Sequence, residues 1–308
     1  MRQTALNLIY EMSLYDSRVV FIGSDLGAGT LKKMKSEVPE RFFMEGIAEQ
    51  YMVGFAAGLS KEGFMPFLNT IGTFLTRRAY EQIMIDVCLH NLPVRILGSG
   101  GGMVYAPLGP THTSVDDFSL MLGIPNLKVF APADANEMKT ILEFSLHDNS
   151  PYYIRIGKGG EQIVTNLDIK NPNNPKIFGE LQSRVIICTT GVILQHALQA
   201  ADMLKSRNIT TTVIHFTALS EINLVELRGL FESSSLIVVA EEHIPKGGLF
   251  SQILESIHLN KISHVKLGHL SLPFSFIHKY GSQNEHFIEY NLDGDGIFTY
   301  IIENLENL

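Results

Sequence analysis

The most informative ionisable side chain of this sequence is that of Glu49. It is followed by Met52, Val53, Phe55 and Ala56, so apolar neighbours are available to surround its carboxyl group. A carboxyl group in dry, apolar surroundings can hold a proton and share it with a hydrogen-bonded ring. Glu49 is therefore a candidate acid–base residue, although taken alone it is more typical of a solvated glutamate on a helix.

Three side chains further along the chain could bind or polarise a substrate. His112 ends the segment GPTH (109–112), and an imidazole there could donate a hydrogen bond to a carbonyl oxygen or to its developing alkoxide. Phe74 and Tyr80 could stack on a planar heterocycle, a contact that contributes about 0.5–1.5 kcal/mol beyond area burial. Taken one at a time, all three are more typical of structural residues, so any functional role must be inferred from their order along the chain.

The order of these segments gives them a common interpretation. Residues 46–50 (GIAEQ), 72–75 (GTFL), 109–112 (GPTH) and 153–158 (YIRIGK) resemble, in that sequence, the pyrimidine-binding half of the transketolase and deoxyxylulose-phosphate synthase family. Members of that family use thiamine diphosphate. The resemblance implies that Glu49 is the cofactor-activating glutamate, which hydrogen-bonds the aminopyrimidine ring so that the ring can take the proton from thiazolium carbon C2.

The resemblance also assigns roles to residues around this glutamate. Phe74 and Tyr80 correspond to the aromatic wall of the aminopyrimidine. Arg77 stands where transketolases place a second aromatic residue, although the RR pair at 77–78 resembles the synthase branch, which has an arginine nearby. Asp25 and Leu26 follow a predicted strand, and open α/β sheets bind ligands at the carboxyl ends of their strands. In the family the matching acidic turn approaches the thiazolium ring, and a simple turn is the alternative. Together with the glutamate, these five residues are the predicted cofactor contacts.

The expected substrate channel departs from the family pattern. His112 keeps the position of a substrate-facing histidine, but Leu108 replaces an aspartate that reads a substrate hydroxyl. Residues 98–102 (GSGGG) stand where transketolases have a substrate-binding histidine, and Lys158 replaces a phosphate-binding arginine. Lysine keeps the charge but lacks the planar fork that suits bidentate phosphate recognition. We therefore predict His112 and Lys158 as substrate contacts, and a substrate other than an ordinary pentose phosphate.

The motif that binds the cofactor's diphosphate and magnesium in this family is not found in the sequence. Residues 294–296 (GDG) match only its beginning, and 293–297 is better interpreted as a cap before a final helix at 298–305. No metal ligand is therefore predicted in this chain. The resemblance implies a separate N-terminal transketolase-like subunit that supplies most of the magnesium site. It also implies an α2β2 assembly with the active site between chains, and self-association through the pyrimidine-binding domains.

The implied reaction is ketol or acyl transfer from a ketone donor to an aldehyde acceptor. Two alternatives remain open. The β subunit of a 2-oxo acid dehydrogenase E1 component has the same two domains, but the GPTH and TFL segments favour transketolase. A non-catalytic paralogue that has kept the fold would fit Leu108 and Gly100, whereas the intact Glu49 argues against it.

The elements that must position these residues alternate between strand and helix patterns. Short apolar runs predict strands at 18–22, 93–97, 127–130 and 152–156. Helical patterns lie at 49–59, 80–88, 114–122 and 136–145. Such alternation is typical of a parallel sheet that is covered by helices on both faces.

A second α/β unit follows a break at 166–175 (NLDIKNPNNP), where two prolines and four asparagines cannot continue a helix or a central strand. We predict a pyrimidine-binding domain at 1–165, a linker at 166–183 and a transketolase C-terminal domain at 184–308, each with a mainly parallel sheet flanked by helices. The second domain's predicted strands and helices lie at 185–189, 194–205, 210–216, 236–240, 249–257 and 265–267.

Composition narrows the classes of function. A net charge of −8 argues against a general nucleic-acid surface, which needs clustered Lys and Arg. Cys88 and Cys188 match no metal-ligand spacing and are predicted to be buried thiols of a reducing compartment. The sequence shows no apolar run of about 18 residues and no signal core, so we predict a cytoplasmic protein with small-molecule substrates.

Overall fold

The computed structural model describes residues 1–308 except 27–28, 167–170, 221, 223, 264–265 and 307–308. In this part of the chain the strands form two sheets, one of six strands and one of five. Helices pack against both sheets, and the predicted α/β class with two sheet-based domains is confirmed.

The first sheet is entirely parallel. Its strands are β1 (Val19–Gly23), β2 (Phe42–Met44), β3 (Met65–Ile71), β4 (Arg95–Ser99), β5 (Lys128–Phe130) and β6 (Tyr152–Ile156). They lie side by side in the order β2-β1-β3-β4-β6-β5. Strands β1, β4 and β6 are buried along their whole length, because helices cover both faces of the sheet.

Two layers of helices sandwich this sheet. The helices are α1 (Arg2–Tyr15), α2 (Lys32–Glu37), α3 (Glu49–Lys61), α4 (Tyr80–Gln82), α5 (Asp117–Met121) and α6 (Ala135–Ser145). Helices α1 and α6 share one apolar cluster, whereas α3 belongs to another. The short helix α4 is flanked by two π-helical segments, Phe74–Arg78 and Ile83–Cys88. Such segments are rare and frequently occur at functional sites.

The second sheet is parallel except at one edge. Its strands are β7 (Lys176–Gly179), β8 (Val185–Thr189), β9 (Thr211–His215), β10 (Leu236–Ala240) and β11 (Leu267–Leu270), in the order β11-β10-β8-β9-β7. Edge strand β7 is antiparallel to β9. The helices of this part are α7 (Ile193–Lys205), α8 (Arg228–Ser233), α9 (Leu249–Leu259), α10 (Gln283–Glu289) and α11 (Gly294–Glu306).

Some element boundaries differ from the sequence expectations. Strand β7 lies inside the range predicted as a linker, and part of that range, 167–170, is outside the described residues. Helix α11 begins at Gly294 rather than at 298, since the side chain of Asp293 accepts a hydrogen bond from the N–H of Gly296 at 3.0 Å. Residue 265, where we predicted the last strand to begin, also lies outside the described residues. The domain limits themselves stay a prediction.

Two further expectations concern the thiols and the apolar segments. Cys88 and Cys188 are buried free cysteines, as predicted. Burial raises the pKa of Cys88 to about 12, so this thiol is a poor nucleophile. Across the described ranges, none of the helices has both the length and the apolar character that a membrane crossing requires.

Candidate active site

Glu49 is the first residue of α3 and lies just beyond the carboxyl end of β2. Its side chain is buried, with 1% relative exposure. Carboxylate oxygen Oε2 accepts a hydrogen bond from Nη1 of Arg78 at 2.6 Å. The other oxygen, Oε1, is buried and has no hydrogen-bond partner among the described residues. A buried acceptor without a donor is costly, and a ligand N–H group placed there would complete it.

The π-helical segment Phe74–Arg78 follows the end of β3 and brings an aromatic ring and a guanidinium together. The Arg78 guanidinium lies over the Phe74 ring, 4.7 Å from its centroid. The His112 ring meets the Phe74 ring edge-on, with 5.2 Å between centroids. Glu49, Phe74, Arg78 and His112 thus form one continuous group, which we call the Glu49 cluster.

His112 is held in a tight turn after Pro110. Its backbone N–H donates to the carbonyl of Gly109 at 3.0 Å, and Gly109 has a φ of +82° that favours glycine. Ring nitrogen Nδ1 shares a hydrogen bond with Oγ1 of Thr111 at 2.9 Å. The other ring nitrogen, Nε2, is therefore the one that can serve a substrate.

Arg77 points away from Glu49. Its guanidinium donates to both carboxylate oxygens of Asp116, at 2.7 and 3.1 Å, and to the carbonyl of Thr113 at 3.3 Å. These bonds tie the π-helical segment to the segment that follows His112. The predicted cofactor contact of Arg77 stays a prediction, and the geometry gives this residue a role in holding His112.

Among the described residues, the other predicted site residues make no hydrogen bond, ion pair or ring contact with the Glu49 cluster. Asp25 is exposed and accepts a hydrogen bond from Ser24 Oγ at 2.9 Å, while Leu26 is half-buried. Tyr80 is half-buried and packs on the core beside α3. Lys158 is exposed beyond the end of β6. Their predicted roles are contacts to a cofactor or a substrate, and these stay predictions.

A second group of buried charges joins the two domains behind the site. Asp117 accepts hydrogen bonds from Arg155 on both oxygens and from the Tyr153 hydroxyl at 2.7 Å. Arg155 also donates to the backbone carbonyl of Glu242 at 2.9 Å. Burial alone would raise the pKa of Asp117, but Arg155 holds it below its usual value. Burial raises the pKa of Glu242 to about 7 against the opposing effect of Arg155.

The glycine run 100–102, which we interpreted as a changed substrate channel, has a packing explanation. A Cβ atom on Gly100, Gly101 or Gly102 would lie 2.0–2.1 Å from side-chain atoms. The side chains that leave no room are those of Tyr105, Arg155 and Glu242, respectively. The buried charges that join the domains therefore require glycine at 101 and 102, and the Tyr105 ring requires it at 100. This packing reason was not visible in the sequence.

Comparison with known protein families identifies the fold. Residues 1–160 match the family described as "Transketolase, pyrimidine binding domain". The chain belongs to the transketolase family. Residues 177–297 match the accompanying "Transketolase, C-terminal domain". The resemblance drawn from residues 46–50, 72–75, 109–112 and 153–158 is thereby confirmed.

Individual transketolase-family proteins resemble the chain to different extents. The 1-deoxy-D-xylulose-5-phosphate synthase of Clostridium perfringens is 36% identical over 296 residues, which cover 94% of this chain and 46% of that protein. The corresponding synthase of Dictyoglomus thermophilum is 34% identical and is covered to 47%. The chain thus spans about half the length of the curated relatives it matches.

Solved structures give a second comparison. A structure described as "Split gene transketolase, inactive beta4 tetramer" superposes with a TM-score of 0.86 at 28% identity, and the match covers 98% of this chain and 96% of that one. Transketolase from Campylobacter jejuni superposes with a TM-score of 0.79 at 16% identity over 46% of its length, which supports the fold alone.

This family depends on thiamine diphosphate, and the Glu49 cluster fits the pyrimidine end of that cofactor. The unpartnered Oε1 of Glu49 offers a buried acceptor for a ring N–H, and the Phe74 ring offers an apolar surface beside it. In the described ranges, no group of His, Cys, Asp and Glu side chains could hold a metal ion. The fit therefore concerns the aminopyrimidine only.

Arg78 is the member of the cluster that the sequence did not lead us to assign. We assigned the neighbouring Arg77 to the cofactor site, because the choice between adjacent arginines depends on the local helix geometry. In the π-helical segment the two arginines pair with different acidic residues, Asp116 and Glu49. The doubled arginine at 77–78, one residue after the TFL segment, was the available signal.

Proposed function

We propose that this chain is the C-terminal subunit of a split transketolase-like enzyme. With a separate N-terminal subunit it would catalyse ketol or acyl transfer between a ketone donor and an aldehyde acceptor. That enzyme would be an α2β2 assembly, with self-association through the pyrimidine-binding domains. The cytoplasmic location remains a prediction from the sequence.

A solved relative supports a split enzyme. The split gene transketolase chain superposes over 98% of this chain at 28% identity, and its structure is described as an inactive β4 tetramer. By analogy, activity of this chain would need a second subunit that supplies the diphosphate and magnesium site.

The observation that carries the proposal is the free oxygen of Glu49. Burying a carboxylate oxygen without a donor is costly, and a ring N–H placed there would satisfy it. When bound, thiamine diphosphate supplies a nucleophilic carbon that can break and form C–C bonds next to a carbonyl group. Glu49 would hold or accept the ring proton at Oε1, and Phe74 would exclude water from that hydrogen bond.

The remaining cluster residues would act on the substrate. His112 would donate from Nε2 to the substrate carbonyl oxygen as negative charge develops there. Arg77 would hold the His112 segment through Asp116 and Thr113. Lys158 is exposed and would bind an anionic group of the substrate as a point charge. Asp25 and Leu26 would approach the thiazolium side of the cofactor.

The proposal is tested by native purification of the chain from its source cell. We expect a stoichiometric second chain that carries a Gly-Asp-Gly and Asn-Asn motif, together with bound thiamine diphosphate and magnesium. Mass spectrometry identifies the partner, and acid extraction followed by chromatography quantifies the cofactor. A chain that elutes alone and cofactor-free at near-native concentration would contradict the proposal and support the non-catalytic alternative.

The same material separates transketolase from 2-oxo acid dehydrogenase chemistry. The proposal predicts transfer of a two-carbon ketol unit to aldehydes in a substrate screen. Reductive acylation of an isolated lipoyl domain would instead favour the dehydrogenase. Both assays use the complex that the purification yields.

A further inference from the structure

We infer that Arg78 is a positioning residue for Glu49. It holds one carboxylate oxygen of Glu49 and thereby leaves the other as the acceptor for the aminopyrimidine ring. This inference rests on the proposed function, and it assigns to this site a residue that the sequence analysis did not place there.

The first step of the argument is the unequal bonding of the Glu49 carboxylate. Oε2 accepts from Arg78 Nη1 at 2.6 Å, a short distance typical of a charge-assisted hydrogen bond. Oε1 has no partner in the described part of the chain, although its side chain is buried. Because one oxygen is occupied, a ring N–H that enters the site meets a single free acceptor.

The second step is that Arg78 is itself held. Its guanidinium lies over the Phe74 ring at 4.7 Å, within the range of a cation–π contact. The Arg78 side chain is 45% exposed, so its position depends on these two contacts rather than on enclosure. Arg78 thus connects the carboxylate to the aromatic ring and fixes the angle between them.

The third step is the divergence of the two neighbouring arginines. Arg77 pairs with Asp116, whereas Arg78 turns to Glu49. The π-helical segment that contains both residues directs them to different partners. Arg77 therefore stays with the His112 segment and leaves Glu49 to Arg78.

The chemical consequence concerns the orientation of the carboxyl group. The planar, charged guanidinium holds Oε2 in place, so that Oε1 faces the position of the ring. A fixed carboxylate also loses less conformational freedom when the ring binds. Arg78 would therefore increase both the affinity for the cofactor and the fraction of correctly bound rings.

The test uses the purified complex of this chain with its partner subunit. We would measure the affinity for thiamine diphosphate with magnesium by titration calorimetry. We would also measure the exchange of the bound cofactor's C2 proton with deuterium, by acid quench and NMR. The variants are Arg78→Met, Arg78→Lys and Arg78→Ala, the last with and without added guanidinium ion. Arg228→Met is the control, because Arg228 is also half-exposed and paired with a glutamate, Glu232.

We expect Arg78→Met to weaken cofactor binding about 10- to 100-fold, as loss of a charged hydrogen bond does. Arg78→Lys should keep more affinity than Arg78→Met, and guanidinium ion should restore exchange in Arg78→Ala. A merely structural role would not produce that chemical rescue. The Arg228→Met complex should have the cofactor affinity and the proton exchange rate of the wild type.

Three results would overturn the inference. The first is wild-type affinity in Arg78→Met, and the second is tighter binding, which would make Arg78 a competitor of the cofactor. The third is a loss of cofactor affinity and proton exchange that neither Arg78→Lys nor guanidinium ion reverses, although the melting temperature of the variant is unchanged. A wild-type complex that binds no thiamine diphosphate would instead reject the proposed function itself.

Discussion

Two buried glutamates of this chain, Glu49 and Glu137, have the same exposure of 1% but opposite surroundings. In the described part of the chain, one carboxylate oxygen of Glu49 accepts from Arg78 and the other has no hydrogen-bond partner. Both carboxylate oxygens of Glu137 accept hydrogen bonds from other residues. The fold thus supplies hydrogen-bond donors to both oxygens of Glu137 but, among the described residues, to only one oxygen of Glu49.

The environment of Glu137 shows what a satisfied buried charge does. Its Oε1 accepts from the Lys176 ammonium and from the Thr217 hydroxyl, and its Oε2 accepts from the backbone N–H of Ala133 at 2.7 Å. His215 lies 3.0 Å from Oε2, and burial lowers the pKa of His215 to about 3. A neutral imidazole there can donate through its Nε2–H.

The difference separates a structural role from a candidate catalytic one. Glu137 lies on α6, whereas Lys176 and His215 lie on β7 and β9, so its contacts join the two domains. Within the described ranges, the Glu49 side chain is hydrogen-bonded only to half-exposed Arg78, which belongs to the same domain. Burial alone therefore does not mark a candidate catalytic carboxylate, whereas the unpartnered oxygen of Glu49 distinguishes it from Glu137.

The largest expected effect is on catalysis at Glu49. Glu49→Gln should lower the rate of C2 proton exchange in the assembled complex about 10²- to 10⁴-fold, the range typical of a lost acid–base group. The unfolding free energy should change by only about 1 kcal/mol, because half-exposed Arg78 can turn to water. Glu62→Gln, an exposed residue beyond the end of the same helix, is the matched control. Equal rates for Glu49→Gln and the wild type would remove Glu49 from the mechanism.

The second effect is on stability at Glu137. Glu137→Leu leaves Lys176, Thr217 and His215 without their shared acceptor, and breaking such a buried group costs about 3–5 kcal/mol. Urea unfolding of the isolated chain, followed by circular dichroism, measures this loss. A loss below about 1 kcal/mol would show that the Glu137 contacts do not hold the domains together.

The third effect depends on pH and concerns Glu242. The pKa of this carboxyl group is raised from 4.5 to about 7 in the folded chain, so between these values the folded state binds more protons than the unfolded state. Its contribution to stability is therefore present below pH 4.5 and is lost as the pH rises through 7. Glu242→Gln should remove this dependence, with a difference between variant and wild type that grows by about 3 kcal/mol over that interval.

The comparison for Glu242 is made by urea unfolding at several pH values. Groups such as His215 titrate in both proteins and cancel in the difference. The groups that face Glu242 are Arg155, which lowers its pKa, and Asp117, which raises it. A difference that does not vary with pH would show that Glu242 does not titrate in this range.

The sequence predicted those parts of the fold that follow from local pattern. Strands β6, β8 and β10 were located correctly at both ends, because each is a short apolar run that is buried throughout. Strand β3 was missed, since Pro66 and Asn69 interrupt the apolar run. The Asn69 side-chain amide donates to the carbonyl of Leu97 and to Oγ of Ser99 on the neighbouring strand, which only the folded sheet brings close.

The site was predictable only as far as its motifs reached. The order of the segments led to Glu49, Phe74 and His112, and the structure brings these three together. The sequence could not distinguish Arg77 from Arg78, because their directions depend on a π-helical turn. Nor could the sequence show that Gly102 is required by Glu242, which lies 140 positions away along the chain. Contacts of this kind are set by tertiary packing rather than by local spacing.

The smallest expected effect completes the comparison with a glutamate on the surface. Glu232 pairs with Arg228 one helical turn away at 2.8 Å, and the Arg228 side chain is 52% exposed. Glu232→Gln should therefore change the unfolding free energy by less than about 0.5 kcal/mol, as solvated pairs do. The measurement is the same urea titration that is used for Glu137→Leu. If Glu232→Gln cost as much as Glu137→Leu, burial would not explain the importance of Glu137, and the contrast between the satisfied and the open carboxylate would lose its physical basis.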